Sequence, residues 1–433
     1  MLSDVDYGKN ILARVKRLSD IHKQSDIKRL MSTTFPGTHC PLMGVLMSVR
    51  QMQDFCTVIV GTDECTYYSK MLSYMPVFKH MQERIFSVVL NDYDITFGSV
   101  SKVKKAFADL CAEEKPKCIV LVTTCLLEII GDDYETLVDE LENKYEVPIL
   151  LVHTEHFQCK DHLPGIERTL AATIKLMQKQ ETKNIVNILG DADIDVEKSE
   201  LGWFLQNSDV SIGLQLPRKC DIAAIKEAAN ARLNIVVSIT GLALAEKMQE
   251  KFALPFVYFP PLGNPLDVLL AYNKLAEIFQ AEIPPKIINN KEKCLALEAQ
   301  VKASLQGVSY IYGNSAYPCL EVNTYLASLG LVPLLIQLTY WHKNNEADKK
   351  NLLRYADPYI CQSANLAAME YVYQVLAPQI YIGREFTDRL RRRGIAEIDS
   401  LNNKDKLGFA GCLNLLQGLL HADIKNAGEV KKL

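Results

Sequence analysis

The sequence predicts an α/β protein built from three Rossmann-like domains, each with a parallel sheet flanked by helices. Three observations predict it: runs of β-branched residues recur along the chain, turns rich in Gly or Asp follow them, and amphipathic helices follow the turns. The strand runs are apolar throughout, as expected for a parallel sheet covered on both faces. We therefore expect domains at residues 1–160, 161–300 and 301–433, the last ending in C-terminal helices.

The first domain contains four predicted strands and one strongly amphipathic helix. The strands are predicted at residues 56–61, 86–90, 118–124 and 147–152. The helix over residues 134–145 places Leu137, Val138 and Leu141 on one face. Strands and helices thus alternate as they do around a parallel sheet.

The second and third domains repeat this alternation. In the second, strands are predicted at residues 184–190, 234–237 and 254–258, and helices at residues 165–178, 196–206 and 243–252. A charged helix near residues 290–303 leads to the third, with strands at residues 308–312, 331–336, 357–360 and 379–383. Ligands of such sheets bind outside the carboxyl ends of the strands, so the loops there are where chemistry is expected.

Composition and charge argue against several classes of function. The chain has 433 residues and a formal net charge of −4. This charge gives no indication of a surface that binds nucleic acid or an anionic membrane. No apolar run approaches the roughly 18 residues that span a bilayer, and charges stand where a signal peptide would be apolar. We therefore expect a cytoplasmic protein, in which the 12 cysteines are core residues, reactive thiols or metal ligands.

Three cysteines stand out because they lie at strand ends or turns of the first domain. Cys40 lies in PGTHCPLMG, Cys65 follows the first strand in GTDEC, and Cys125 follows the third strand in TTCLLEIIGDD. Thiolates are the usual ligands of iron–sulfur clusters, and a cubane usually takes four. Three from one chain leave one position open or require a partner subunit to fill it. From the residues alone, plain core packing stays open for each cysteine.

These three motifs, in this order and at these intervals, resemble the cluster-binding domain of the nitrogenase component 1 family. The stretch Asp94-Ile-Thr-Phe-Gly98 resembles the family's segment between the second and third ligands. Residues 184–190 and 231–255 resemble its second domain, and the third domain resembles it more loosely. The family includes nitrogenase, its cofactor-assembly scaffold and the dark-operative protochlorophyllide reductase.

The resemblance implies that Cys40, Cys65 and Cys125 bind an iron–sulfur cluster at a subunit interface, either [4Fe-4S] or P-cluster-like [8Fe-7S]. It implies two partners: a paired homologous component 1 subunit, with a hetero-oligomer of α2β2 type favoured, and an ATP-dependent iron–sulfur reductase that delivers electrons. In keeping with a separate reductase, the chain has no GxxxxGK(S/T) phosphate loop.

The sequence departs from the catalytic nitrogenase subunit at two places. By the resemblance, that subunit holds its metal cofactor through one cysteine of the second domain and one histidine of the third. Here residues 238–248 contain no cysteine, and residues 398–407 contain no histidine. The chain therefore looks most like a β-type subunit of an oxidoreductase that passes low-potential electrons to a small substrate.

Two other functions stay open at this point. A complex of the same fold could be a scaffold for assembly of a nitrogenase-type metal cofactor, and an α/β protein could bind a small ligand without any cluster. The substrate, and whether the partner subunit is identical, do not follow from the sequence. Cys159, with three histidines nearby in residues 153–162, is a candidate for a second metal site, and Cys220 for a ligand pocket.

Overall fold

The structure, a computed structural model, describes residues 4–32, 40–81, 83–154, 161–218, 220–313, 319–342, 344–362, 366–398, 407–422 and 424. The strands are β1 (Lys16–Arg17), β2 (Phe55–Gly61), β3 (Ile85–Val89), β4 (Cys118–Thr123), β5 (Ile149–His153), β6 (Ile185–Leu189), β7 (Ser211–Leu216), β8 (Leu233–Val236), β9 (Phe256–Tyr258), β10 (Ser309–Tyr312), β11 (Val332–Gln337), β12 (Tyr359–Cys361), β13 (Ile380–Ile382) and β14 (Ala396–Ile398).

The α-helices among the described residues lie between these strands. They are α1 (Asp4–Leu12), α2 (Pro41–Val49), α3 (Asp63–Ser73), α4 (Asp92–Phe97), α5 (Val100–Glu113), α6 (Cys125–Ile130), α7 (Tyr134–Tyr145), α8 (Leu163–Ala172), α9 (Glu200–Asn207), α10 (Ile222–Glu227), α11 (Leu242–Phe252), α12 (Pro265–Phe279), α13 (Pro285–Leu305), α14 (Cys319–Ser328), α15 (Asn345–Leu352), α16 (Leu366–Leu376), α17 (Thr387–Arg392) and α18 (Gly408–His421). In this described part, no helix is both long enough and apolar enough to span a membrane.

The strands form three sheets. The first has the order β3-β2-β4-β5 and the second β7-β6-β8-β9, and both are parallel throughout. The third has the order β1-β12-β11-β10-β13-β14, parallel except that β1 pairs antiparallel with β12. The prediction of an α/β fold with three Rossmann-like parallel sheets flanked by helices is confirmed.

The chain forms two compact units. The two-sheet unit contains residues 39–197 and 209–258, and the one-sheet unit contains residues 1–38, 198–208 and 259–433. The first two sheets fall in one unit because they share a core: Val122 of β4, Leu189 of β6 and Val236 of β8 belong to the same cluster of buried residues. The three domain ranges given above stay a prediction.

Alternating residues of the first sheet face two different cores, as the period of a strand requires. Val120 and Val122 face the core shared with the second sheet. Ile119 and Leu121 face a separate core, to which α5 contributes Phe107. The first sheet is therefore covered on both faces. A ligand can reach it at the carboxyl ends of its strands, where the loops begin.

Candidate functional site

The three cysteines singled out by sequence all lie at the beginnings of helices in the two-sheet unit. Cys40 is the N-cap residue of α2, Cys65 is the third residue of α3, and Cys125 is the first residue of α6. Helices α3 and α6 begin directly after β2 and β4, which are neighbouring parallel strands. Cys65 and Cys125 therefore lie at the same edge of the first sheet.

Electrostatic effects show that the three thiols lie in one neighbourhood. Burial raises the pKa of Cys65, and the nearby thiols of Cys125 and Cys40 raise it further. Burial also raises the pKa of Cys125, followed by the effects of the Glu128 carboxylate and of Cys40. Such effects weaken with distance, so the structure brings the three predicted residues together. All three are free and half-buried.

The surroundings of the thiols fit ligands of an anionic iron–sulfur cluster. Cys40 and Cys65 lie at the beginnings of α2 and α3, at the positive end of each helix dipole. At Cys125, the N–H groups of Cys125 and Leu126 favour the thiolate and lower its pKa against the effect of burial. Partial burial limits the contact of the sulfurs with water, and a cluster held by these three residues would supply the positive charge that favours their thiolate form.

The described residues offer no site for a single metal ion. Within the described ranges, no three His, Cys, Asp or Glu side chains lie close enough to share one ion. Ligands of a cluster bind different iron atoms, so their sulfurs stand farther apart than the ligands of one ion. Three neighbouring thiols that cannot share an ion therefore remain compatible with a cluster.

Thr124 holds the turn that carries Cys125 against the strand that leads to Cys65. Its side-chain hydroxyl donates to the Val60 carbonyl at 2.9 Å, and its main-chain N–H donates to the same oxygen at 3.1 Å. Gly61 makes room for this contact, because a Cβ at residue 61 would lie 2.3 Å from Oγ1 of Thr124. The TTC motif thus fixes the two loops relative to each other.

The GDD motif fixes the far end of the helix that Cys125 begins. Gly131 ends α6 in the left-handed conformation, with φ of 78°. Asp132 accepts from the main-chain N–H of Ser99 at 2.7 Å and from its hydroxyl at 2.5 Å. Asp133 caps α7 by accepting from the Thr136 N–H at 2.9 Å. Each residue of the motif therefore has a structural role around the candidate site.

Helix α2, which begins at Cys40, crosses α8 at two glycines. A Cβ on Gly44 would lie 1.9 Å from the His162 carbonyl oxygen, and a Cβ on Gly165 would lie 1.8 Å from the Pro41 carbonyl oxygen. These are backbone contacts that no side-chain rotation can relieve. The close crossing sets the position of α2, and with it the position of Cys40.

The other residues raised by sequence reasoning have different outcomes. Cys220 is 1% exposed and packs in the core of the two-sheet unit, so it is a core residue with no face toward a pocket. Beside Cys65, Glu64 is an exposed residue in the first turn of α3, and a hydrogen bond from the Thr62 hydroxyl lowers its pKa. Cys159 lies outside the described residues.

Exposed apolar side chains lie on helices that follow three neighbouring strands of the first sheet. Among the described residues of the two-sheet unit, every exposed large apolar side chain lies on or just after α3, α4 or α6. They are Tyr67, Met71, Tyr74, Met75, Val77, Tyr93, Phe97 and Ile129, and we call them the apolar surface. Phe97 is 72% exposed. Large exposed apolar areas often mark a site of interaction with another protein.

The fold and the site define an α/β protein with a candidate metal centre built from three thiols at one sheet edge. The chain belongs to the nitrogenase component 1 type oxidoreductase family, whose sequence profile matches residues 40–422. In a solved structure described as nitrogenase Cp1 at pH 6.5, a chain superposes on 92% of this one with a TM-score of 0.76. That superposition covers 94% of the other chain at 15% sequence identity, and it shows the shared fold alone.

Curated relatives have several different names. The nitrogenase iron-molybdenum cofactor biosynthesis protein NifE of Clostridium pasteurianum is 25% identical over 61% of this chain and 59% of its own length. One subunit of the light-independent protochlorophyllide reductase of Porphyra purpurea is 25% identical over 44% of this chain and 41% of its own. The nitrogenase molybdenum-iron protein alpha chain of C. pasteurianum is 22% identical over 63% and 55%. The chain thus spans less than two thirds of the length of each.

Proposed function

We propose that this chain is a subunit of a nitrogenase-like oxidoreductase. In this proposal Cys40, Cys65 and Cys125 bind one side of an interface cluster, either [4Fe-4S] or P-cluster-like [8Fe-7S]. The observation that carries the proposal is the meeting of three half-buried thiols at helix beginnings along one sheet edge. The cluster, when bound, supplies one-electron chemistry at low potential. The chain's own residues fix the thiols and limit their contact with water.

The proposal includes two protein partners. A paired homologous subunit, in a hetero-oligomer of α2β2 type, would complete the cluster and cover the apolar surface. The apolar surface supports this because the helices that carry it include α3 and α6, which also carry Cys65 and Cys125. An ATP-dependent iron–sulfur reductase would deliver the electrons that pass to a small substrate. A different subunit as partner is favoured, since residues 238–248 and 398–407 lack the cofactor cysteine and histidine.

A second candidate function is a scaffold for assembly of a nitrogenase-type metal cofactor. Relatives named as cofactor biosynthesis proteins favour it. The two functions differ in what happens to the metal. An oxidoreductase subunit keeps a constant iron content through repeated reduction and reoxidation, whereas a scaffold loses iron when a metal-free homologous acceptor is added.

The first test is the content of iron and acid-labile sulfide per chain, on protein purified without oxygen together with its co-purifying partner. We expect several irons per chain and an EPR signal after reduction by dithionite. Cys65→Ala should lose both while the far-UV circular dichroism stays close to that of the wild type.

The matched control is Cys412→Ala, because Cys412 is buried in the one-sheet unit and donates to the Gly263 carbonyl at 3.1 Å. This variant should keep its iron and lose about 1 kcal/mol of stability. Wild-type protein without iron, despite anaerobic purification, would overturn the redox proposal and return the chain to the class of α/β proteins that bind a small ligand.

A further inference from the structure

A chain of three hydrogen-bonded side chains lies at the end of the first sheet and is not explained by the proposed ligands. Nδ1 of His153 lies 2.8 Å from Oγ1 of Thr123, and Nε2 of His153 lies 3.0 Å from Oε1 of Glu135. Both ring nitrogens are therefore engaged, one by a hydroxyl and one by a carboxylate. A histidine held at both nitrogens has a fixed ring orientation.

The three side chains come from three elements that meet at the cysteine-bearing edge. Thr123 is the last residue of β4 and stands two residues before Cys125, and His153 is the last residue of β5. The two are direct register partners in the sheet. Glu135 lies in the first turn of α7. On the α8 side, Arg168 donates to the His153 carbonyl at 3.0 Å, so the main chain of His153 is held as well.

The three hydrogen-bonded side chains extend from the interior to the surface. Thr123 is 1% exposed, whereas the side chain of His153 is 35% exposed and that of Glu135 is 72% exposed. The ionised carboxylate of Glu135 can only accept, so it binds the Nε2–H form of the ring. In the neutral ring, Nδ1 is then the acceptor, and the Thr123 hydroxyl donates to it. The contact between Glu135 and His153 thus orients Nδ1 of His153 toward the buried Thr123 hydroxyl.

We propose that His153 is a positioning residue for Cys125, acting through Thr123. The inference rests on the proposed function, in which Cys125 binds a cluster. The turn that leads into Cys125 contains two threonines held from opposite sides, Thr124 by the Val60 carbonyl of β2 and Thr123 by His153 of β5. Loss of the His153 contact leaves Thr123 held on that side by Thr154, whose hydroxyl donates to the Thr123 carbonyl at 3.0 Å. We expect the side chain of Thr123 to move more freely and the Cys125 thiol to leave its iron more easily. Partners behind metal ligands commonly change metal affinity by about 10–100-fold.

Isosteric substitutions separate this role from general packing. His153→Phe keeps a ring and removes both nitrogens. His153→Asn keeps a polar atom where Nδ1 stands and can accept from Thr123. His153→Gln places its amide where Nε2 stands, so it can reach Glu135 but not Thr123. His421→Asn, at the exposed end of α18 in the one-sheet unit, is the matched control.

The measurement is the rate at which an Fe(II) chelator removes iron from the anaerobically purified complex, together with the EPR spectrum and midpoint potential of the reduced state. We expect about tenfold faster iron loss and an altered spectrum in His153→Phe and His153→Gln. His153→Asn and His421→Asn should match the wild type. Thermal unfolding followed by circular dichroism should place all variants within a few degrees of one another.

Two results would overturn the inference while leaving the proposed function intact. In the first, the wild type contains iron and His153→Phe loses it no faster. In the second, His153→Asn behaves like His153→Phe, so the contact with Thr123 is not what matters. Wild-type protein without iron is the distinguishable third result, because it removes the proposed function and this inference together.

Discussion

The side-chain hydroxyl of Thr124 donates a hydrogen bond to the main-chain carbonyl of Val60 over 2.9 Å. Thr124 immediately precedes Cys125. Val60 is the penultimate residue of β2, the strand that leads to Cys65. Because both groups are buried, water cannot replace the bond if it is lost. This one contact joins the loops of two proposed ligands.

Thr124→Val should therefore weaken the site without changing the volume of the side chain. We expect a loss of about 1 kcal/mol in the free energy of unfolding, measured by urea denaturation, and faster loss of iron to a chelator. Thr124→Ser keeps the hydroxyl and should keep its iron at nearly the wild-type rate. A Thr124→Val protein as stable as the wild type would show that the main-chain N–H of Thr124 satisfies Val60 by itself.

Gly61→Ala should be destabilising, and a second substitution at Thr124 should partly restore the stability. A Cβ at residue 61 would lie 2.3 Å from Oγ1 of Thr124, which forces the threonine to rotate away from Val60. We expect a cost of about 1–3 kcal/mol. Of the three atoms nearest to the new methyl group, Gly61→Ala/Thr124→Ala leaves only the Cβ of residue 124, at 3.1 Å. The double variant should therefore lose less stability than the sum of the two single losses. Simple additivity in the urea measurement would contradict the steric explanation.

Gly44→Ala and Gly165→Ala should be more damaging than Gly61→Ala, because their new methyl groups would meet backbone rather than a side chain. We expect a loss of about 3 kcal/mol or more for each, and reduced iron content because α2 carries Cys40. The control is Gly418→Ala in α18, where the nearest atom lies 3.5 Å from the new Cβ. That variant should be neutral or gain up to about 1 kcal/mol from better helix propensity.

Much of the fold follows from the sequence because most strands are buried and apolar. The predicted strands at residues 56–61 and 118–124 match β2 and β4 within one residue at each end. The sequence pattern does not predict strand β7, which lies at a sheet edge, contains Gly213, and is only partly buried. It does not predict strand β14 either, since three residues at an edge give too short a pattern. Apolar runs thus predict central strands better than edge strands.

The sequence predicts the cysteine motifs of the candidate site but not the contacts that support them. Sequence spacing places Cys65 and Cys125 at one edge, and the structure agrees. The bond between Ser99 and Asp132 joins residues 33 positions apart, and nothing in the local sequence around Ser99 points to it. The pairing of Gly44 with Gly165 is equally hidden from the local sequence. Contacts of this kind depend on how helices and loops cross, which single-sequence patterns do not contain.

Asp348 should make the stability of the protein depend on pH. Burial raises the pKa of this carboxyl from 3.8 to about 6, although the charge of His342 acts in the opposite direction. A raised pKa means that the folded state holds the proton more tightly than the unfolded state does. Stability therefore falls as the pH rises from about 4 through 6, and it stays lower above that range.

Asp348→Asn removes this ionisation and should be more stable than the wild type at pH 8. One pKa unit corresponds to about 1.4 kcal/mol, and partial solvent contact reduces the whole effect to about 1–2 kcal/mol. Near pH 4 the two proteins should unfold at similar temperatures. Melting curves between pH 4 and 8 measure the difference, and a constant gap across that range would contradict the assignment to Asp348.

The apolar surface gives the last prediction, which concerns the partner subunit. Phe97→Glu places a charge on a side chain that is 72% exposed, so the free energy of unfolding should change by no more than about 0.5 kcal/mol. If a partner covers this surface, burying the new carboxylate is unfavourable, and association should weaken at least about tenfold.

Phe386→Glu is the control, because Phe386 is 60% exposed but lies in the one-sheet unit, whereas the cysteines lie in the two-sheet unit. Sedimentation of the purified complex measures both variants: loss of the larger species in Phe97→Glu alone supports a partner on this face. Equal behaviour of the two variants would place the partner elsewhere, and the fourth ligand of the cluster would then have to come from another surface.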